Sequence, residues 1–241
     1  METFLLVHGA WHDGSAWDAT AGHLHDKGHR TFAPTMAGHG KGVGRNVSHA
    51  DCVESIVRVI VERAVKDFVL VGHSFGGTVV CKIAEAIPER IKRLVFLNAF
   101  ILNDGSSLVD EVPPAHRALY DQLSAETPDK AVMIPFPIWR ESFVNDADLE
   151  MAKWTYAQLS PEPYQPCTDK LDLKKFYSLQ IPRSFINCTE DTALPPGEWG
   201  WHPRMTSRLG VYRLVQMPGS HEVIYTNPAL LAQKIVEAGR D

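Results

Sequence analysis

Phe68-Val69-Leu70-Val71-Gly72-His73-Ser74-Phe75-Gly76-Gly77 is the stretch that decides the fold. Its first four residues are a continuous apolar run, as expected of a central parallel strand covered on both faces. The residues from Phe75 to Ile87 read as a helix, ended before Pro88 and Glu89. Between strand and helix lies Gly72-x-Ser74-x-Gly76, the pattern of a strained strand-to-helix turn. Side chains at the two glycine positions would collide with the neighbouring strand and helix. The turn lifts the serine hydroxyl clear of the sheet, at the positive end of the following helix. A bare G-x-S-x-G is common by chance, whereas this strand–turn–helix setting is specific, so Ser74 is the candidate nucleophile.

The same alternation extends in both directions. Phe4-Leu5-Leu6-Val7 is a short buried strand entering the turn His8-Gly9-Ala10. Ala16 to Lys27 reads as an amphipathic helix closed by Gly28, and Thr31-Phe32-Ala33 as a strand stopped by Pro34. Ser48 and Asp51 form a capping-box pattern before the apolar positions Val53, Ile56, Val57, Ile60 and Val61. Leu94-Val95-Phe96-Leu97 is the next central strand. Arg183 to Cys188 and Val211 to Gln216 continue the sheet, and Pro228 to Gly239 forms a last helix. The glycine-rich stretch Gly38 to Gly44 has no Gly-Lys-Ser/Thr ending, so it reads as a flexible connector and not as a phosphate loop.

From about Phe100 to Leu179 the alternation breaks. Prolines are dense there, and Phe136, Trp139, Phe143, Trp154 and Tyr156 sit among them. Helices are expected from Pro114 to Ser124 and from Asp146 to Gln158. The segment is too apolar for a disordered linker, so it reads as a cap over the sheet. Residues 1–99 and 180–241 then form the core and residues 100–179 the cap. Trp139, Phe143 and Trp154 are candidate substrate contacts, with simple packing of the cap as the alternative for each. Aromatic and aliphatic residues over the site favour a small, uncharged, apolar or aromatic substrate.

A serine hydroxyl needs a base to remove its proton as it attacks. On this kind of scaffold the chain order is serine, acid, histidine. His221, in Pro218-Gly219-Ser220-His221, follows the last strand and is placed to reach the carboxyl edge of the sheet. Glu190 and Asp191 both follow the strand before it, and either can orient an imidazole; Asp104 is a remote fallback. Two backbone N–H groups must face the developing oxyanion. Phe75 supplies one, and Ala10, in the loop after the first strand, is the best-placed second donor. His8 and His12 have a spacing that suggests metal ligands, but no matching third group accompanies them, so no metal site is expected. His8 reads as a residue of loop structure.

Composition bounds the partners. The chain has 241 residues, a net charge of −5, 44% hydrophobic and 22% charged residues, which suits one soluble enzyme domain without a basic surface for nucleic acid. Its four cysteines are scattered, which is compatible with a reducing cytoplasm. The first apolar run starts directly at Thr3 without a basic flank, and no stretch approaches the ~20 apolar residues of a membrane span. A cytoplasmic protein without membrane contact is expected.

Leu6-Val7-His8-Gly9-Ala10-Trp11-His12, Val71-Gly72-His73-Ser74-Phe75-Gly76-Gly77, Cys188-Thr189-Glu190-Asp191 and Gly219-Ser220-His221 together carry a family resemblance. The chain resembles the α/β-hydrolase branch that holds plant methylesterases, hydroxynitrile lyases and bacterial small-ester and carbamate-cleaving hydrolases. The likeness covers nearly everything except the cap. It implies a mostly parallel sheet flanked by helices, a helical cap inserted after the sixth strand, and an enzyme without a cofactor. It also implies Ser74 as nucleophile, His221 as base and Asp191 as acid, and it is compatible with a homodimer. Two positions depart from the lyases of that branch. They carry threonine after the first-strand histidine and lysine after the catalytic histidine, where this chain has Gly9 and Glu222. A lysine stabilises departing cyanide and a carboxylate repels it, so the expectation is hydrolysis of an ester, carbamate or lactone. A hydroxynitrile lyase and a ligand receptor with little turnover are the rival readings; the intact serine–acid–histidine order speaks against the receptor.

Overall fold

The computed structural model describes residues 1–241. Strand β1 (Thr3–Val7) leads through a 3₁₀ turn into α1 (Asp18–Asp26), followed by β2 (Arg30–Phe32), α2 (His49–Glu62), β3 (Phe68–His73), α3 (Gly76–Ala86) and β4 (Ile91–Leu97). The insert then supplies α4 (Pro114–Ala125), β5 (Ala131–Val132), the single turn α5 (Phe136–Ile138), α6 (Leu149–Gln158), β6 (Glu162–Pro163), α7 (Tyr164–Thr168) and α8 (Lys174–Ser178). Strands β7 (Arg183–Cys188) and β8 (Arg213–Met217) and helices α9 (Val223–Thr226) and α10 (Pro228–Gly239) follow.

Six strands pair in parallel in the order β2-β1-β3-β4-β7-β8. The chain moves outward from β1 to β2, then returns to the other side of β1 with β3. The carboxyl ends of β1 and β3 therefore border the point where the strand order reverses, the usual place for a ligand crevice in an open α/β sheet. Strand alternation divides the core into two layers. Leu5, Val7 and Leu70 pack with α2, α3 and the insert, while Phe4, Leu6, Val69 and Val71 pack with α1 and α10. The aromatic residues Trp139, Phe143 and Phe176 of the insert belong to the first of these layers, so its apolar face is continuous with the sheet's own core.

Local rules account for most boundaries. The Ser48 hydroxyl and backbone N–H both bond Asp51, closing the capping box at the start of α2. Gly28, at φ +78°, ends the α1 segment. Three expectations change. The insert follows β4, the fourth strand of the sheet in chain order and not a sixth, because only four parallel strands precede it. The last strand starts at Arg213 because Val211 is 97% exposed and pairs with nothing in β7. The stretch 38–44 divides: residues 38–40 are pinned, unlike a flexible connector, whereas residues 41–44 are exposed. The buried Arg45 guanidinium donates to the carbonyls of Gly38 and Gly40, at 2.5 and 2.6 Å, and the His39 ring is buried.

Candidate active site

Ser74 sits on the turn between β3 and α3 at φ +52°, a conformation that costs a residue with a side chain on the order of 1–3 kcal/mol. Its neighbours hold it there. The Ser74 N–H donates to Leu97 O at 3.2 Å, and the Ser74 carbonyl accepts from the N–H groups of Gly77 and Phe100. Gly72 and Gly76 make the turn sterically feasible. A Cβ on Gly72 would lie 2.8 Å from Gly76 O, and one on Gly76 would lie 2.6 Å from His8 O. Both contacts are closer than real side chains approach, so these glycines are required by packing rather than by an unusual φ.

The structure brings Ser74, His221 and Asp191 into one hydrogen-bonded row. Ser74 Oγ is 2.9 Å from His221 Nε2, and His221 Nδ1 is 2.6 Å from Asp191 Oδ2. The tautomer consistent with both contacts has Nδ1–H donating to the carboxylate while Nε2 accepts from the serine hydroxyl. Asp191 is itself held: Asn98 Nδ2 donates to Oδ2 and the Ala193 N–H donates to Oδ1 at 2.8 Å. Glu190 does not touch the imidazole. Its carboxylate accepts the Gly219 N–H at 3.1 Å, pinning the loop that carries His221. Asp104 is engaged elsewhere, accepting the Leu173 N–H at 2.8 Å. His221 is buried, which works against its cation, yet the charge and hydrogen bond of Asp191, with Glu222 behind them, raise its pKa above the free value. Trp201 stacks on the ring at 5.1 Å with 12° between planes, and Phe143 meets it edge-on at 5.4 Å.

Ala10 and Phe75 both border the cavity above Ser74. Neither lies within a helix or strand, and their backbone N–H groups have no acceptor within the protein. Both donors are therefore unspent beside the nucleophile, as the oxyanion role expected of them needs. The loop bearing Ala10 is fixed on both sides. His8 donates from Nδ1 to Gly9 O and accepts the Met36 N–H at Nε2. Burial, with His39 nearby, holds its pKa well below the ordinary value, so it serves loop structure as a neutral ring. Trp11, at φ +65°, donates its backbone N–H to Glu162 Oε2 at 2.9 Å and its indole N–H to Val132 O.

Glu162 was not legible as a site residue. It lies on β6, is 2% exposed, and also pairs with His39 at 3.1 Å. Burial opposes the His39 cation, but the Glu162 carboxylate outweighs it and pushes the pKa up to about 10. The stability from this pair is fully present below the ordinary histidine pKa and is lost as pH rises through about 10. Glu162→Gln removes the charge opposite a buried imidazolium and is expected to cost about 3 kcal/mol. Urea unfolding at pH 7 measures it, and a midpoint equal to that of the wild type would discount the pair.

The cavity over Ser74 offers about 50 Å³ to the centre of a water molecule, and 14 of its 17 lining residues are hydrophobic. Phe143 lines it as expected, alongside Trp11, Phe100, Leu108, Tyr120 and Trp201. Trp139 and Trp154 do not. Trp139 stacks behind Phe143 at 5.5 Å and spends its indole N–H on Thr155 Oγ1, so it supports the wall without facing the cavity. Trp154 is 53% exposed because Ala152 and Thr155 form the buried side of α6. Trp201, in the irregular segment between β7 and β8, had no periodicity to mark it. His8 and His12 diverge: His12 Nε2 meets Glu222 Oε2 at 3.0 Å. Ligand-type atoms of His12, His73 and Glu222 all lie within 4.8 Å of one another, a third and fourth group that the spacing of His8 and His12 did not reveal. His73 Nε2 faces His221 O at 3.0 Å and its Nδ1 has no partner.

Comparison with known proteins gives consistent results. The profile of the alpha/beta hydrolase family matches residues 4–234. An alpha-hydroxynitrile lyase of Arabidopsis thaliana is 34% identical over 260 residues, covering 99% of this chain and 97% of its own. A carbendazim hydrolyzing esterase of Nocardioides sp. (strain SG-4G) is 30% identical over 250 residues, covering 99% of this chain and 100% of its own. Among solved structures, an extracellular alpha/beta-hydrolase from a Paenibacillus species superimposes with a TM-score of 0.98 at 44% identity, with 100% of both chains covered. That protein is described as sharing structural and functional homology with tobacco salicylic acid binding protein 2.

Proposed function

The chain belongs to the alpha/beta hydrolase family, and from that premise we propose that it is a serine esterase acting on small, uncharged, apolar or aromatic esters or carbamates. The observation that carries this reading is the row Ser74–His221–Asp191, with contacts of 2.9 and 2.6 Å, beneath an apolar cavity. Ser74 Oγ attacks the carbonyl carbon as His221 Nε2 takes its proton. Asp191 keeps the ring in the accepting tautomer and stabilises the imidazolium. The N–H groups of Ala10 and Phe75 receive the oxyanion. His221 then protonates the departing alcohol or amine, and water, activated by the same ring, cleaves the acyl-enzyme.

Two features favour hydrolysis over cyanohydrin cleavage. Glu222 places a carboxylate, not a cation, beside the histidine loop. At Gly9 a Cβ would stand 3.1 Å from Ser74 Cβ and 3.0 Å from His73 Nδ1, so a threonine over the nucleophile would require its neighbours to shift by a few tenths of an ångström. The carbendazim-hydrolysing relative supports carbamates among the substrates. Four free, buried thiols suit the cytosol as the proposed location, although the Paenibacillus relative is described as extracellular; cell fractionation decides between them.

The direct test is p-nitrophenyl acetate and butyrate hydrolysis followed by rapid mixing, with the intact protein weighed by mass spectrometry during turnover. A burst of p-nitrophenol and an acyl adduct mapped to Ser74 are expected. Turnover without any adduct on Ser74 would count against the mechanism. The pH profile provides a second prediction. Only neutral His221 acts as base, and its pKa is raised from 6.5, so kcat/KM is expected to fall tenfold per unit of acidity below a midpoint lying above 6.5. A rate that is flat between about pH 5 and 8 would contradict the assignment of the base.

A further inference from the structure

We propose that Glu222 is a positioning residue that favours the protonated form of His221 through a buried carboxylate–histidine network with His12 and His73. The proposal rests on the serine-esterase reading, since it concerns the base of that reaction. Glu222 is 1% exposed and immediately follows His221. Its backbone N–H donates to Phe143 O at 3.2 Å, so the main chain anchors the loop whatever side chain stands there. The side chain has a separate partner, His12 Nε2, at 3.0 Å. His73 completes the group: its Nε2 donates to the His221 carbonyl at 3.0 Å, and its ring centre lies 4.7 Å from that of His221.

Burial alone would neutralise the Glu222 carboxyl. His12, then the hydrogen bond to it, with His73 and His221 farther out, reverse this and bring its pKa down to about 2. His73 is the opposite case, since burial pulls its ring down to about 3, and its Nδ1 is left as a buried lone pair without a donor. Across the working pH range Glu222 therefore stays ionised, and His73 stays neutral, beside His221. The other ionisable groups nearby do not duplicate it. Asp191 is on the ring itself, Asp146 accepts the Ser220 N–H, Glu190 accepts the Gly219 N–H, and Asp13 and Asp18 act on Tyr225. The Tyr225 hydroxyl, 3.5 Å from His12 Nδ1, is pushed further toward its neutral form by burial and by Glu222. A negative charge in a desolvated site stabilises the imidazolium that forms as Ser74 attacks.

The test uses Glu222→Gln, which keeps the shape and an acceptor for His12, with Glu222→Asp as the variant that retains the charge. Two quantities are measured: the acid limb of kcat/KM, and the titration of the His221 ring by NMR in the resting protein. In Glu222→Gln both midpoints are expected to move down by about half to one pH unit. The plateau kcat is expected to fall about three- to tenfold with little change in KM. Glu222→Asp should keep both midpoints near those of the wild type. Unchanged midpoints in Glu222→Gln would overturn the proposal and leave Glu222 a purely structural ion pair. Should that variant fail to fold, His12→Asn combined with Glu222→Gln makes a neutral amide pair, and the same downward shift is required of it relative to His12→Asn alone. The NMR titration reads the effect without turnover, so it stands apart from any failure of the serine mechanism.

Discussion

Ser74→Ala is expected to lower kcat on p-nitrophenyl esters by about a millionfold while leaving the fold intact. The reason is chemical rather than structural. His221 would still face the cavity, and the N–H groups of Ala10 and Phe75 would still await an oxyanion, but no atom would remain to form the acyl-enzyme. Residual turnover should come only from substrate binding and oxyanion stabilisation, which together leave about 10³–10⁴ over water in enzymes of this kind. The backbone makes the variant a clean one. Alanine at φ +52° meets the same strain as serine, so near-UV circular dichroism and the thermal midpoint should stay close to the wild type. Equal rates in a folded Ser74→Ala protein would remove the nucleophile from the mechanism. A silent wild type would instead turn attention to a ligand-binding role or a narrower substrate range.

Asp191→Asn is expected to lower kcat by about 10⁴-fold. The carboxylate accepts the Nδ1–H of His221 at 2.6 Å, which leaves Nε2 free to take the serine proton. An asparagine amide that turns its NH₂ toward Nδ1 imposes the other tautomer and blocks Nε2 with a proton. It also removes the charge that raises the pKa of His221, so the remaining activity should show its acid limb at lower pH. Glu190→Gln is the matched comparison. Glu190 contacts the Gly219 N–H and not the ring, so its loss should cost less than about tenfold in kcat. A larger loss from Glu190→Gln than from Asp191→Asn would reverse the assignment of the acid.

Much of this site was legible because its parts are local. Strand β3, the turn at Ser74 and helix α3 are contiguous, and each announces itself within a few residues through an apolar run, two glycines and a helical run that stops before Pro88. The start of α2 is equally local, since Ser48 and Asp51 cap it across three residues. The cap helices near Pro114 and Asp146 were visible for the same reason, but which of their aromatic residues reached the cavity was not. Trp139 and Trp154 have the composition of substrate contacts; only the packing of α6 and the stack on Phe143 turn one into a support and the other toward solvent.

The sequence by itself determined the alternation of the core strands and helices, the nucleophile turn, the position of the histidine loop and the apolar character of the cap. These depend on backbone propensity and on spacing within one strand or one helical turn. Tertiary structure decided the rest. Glu190 and Asp191 are neighbours of like chemistry, and only the arrival of β8 and its loop gives one the Gly219 N–H and the other the imidazole. Glu162 reaches Trp11 across 151 residues, and Glu222 reaches His12 across 210. No local pattern encodes such pairs, because a buried charge is tolerated only where the folded chain delivers its partner.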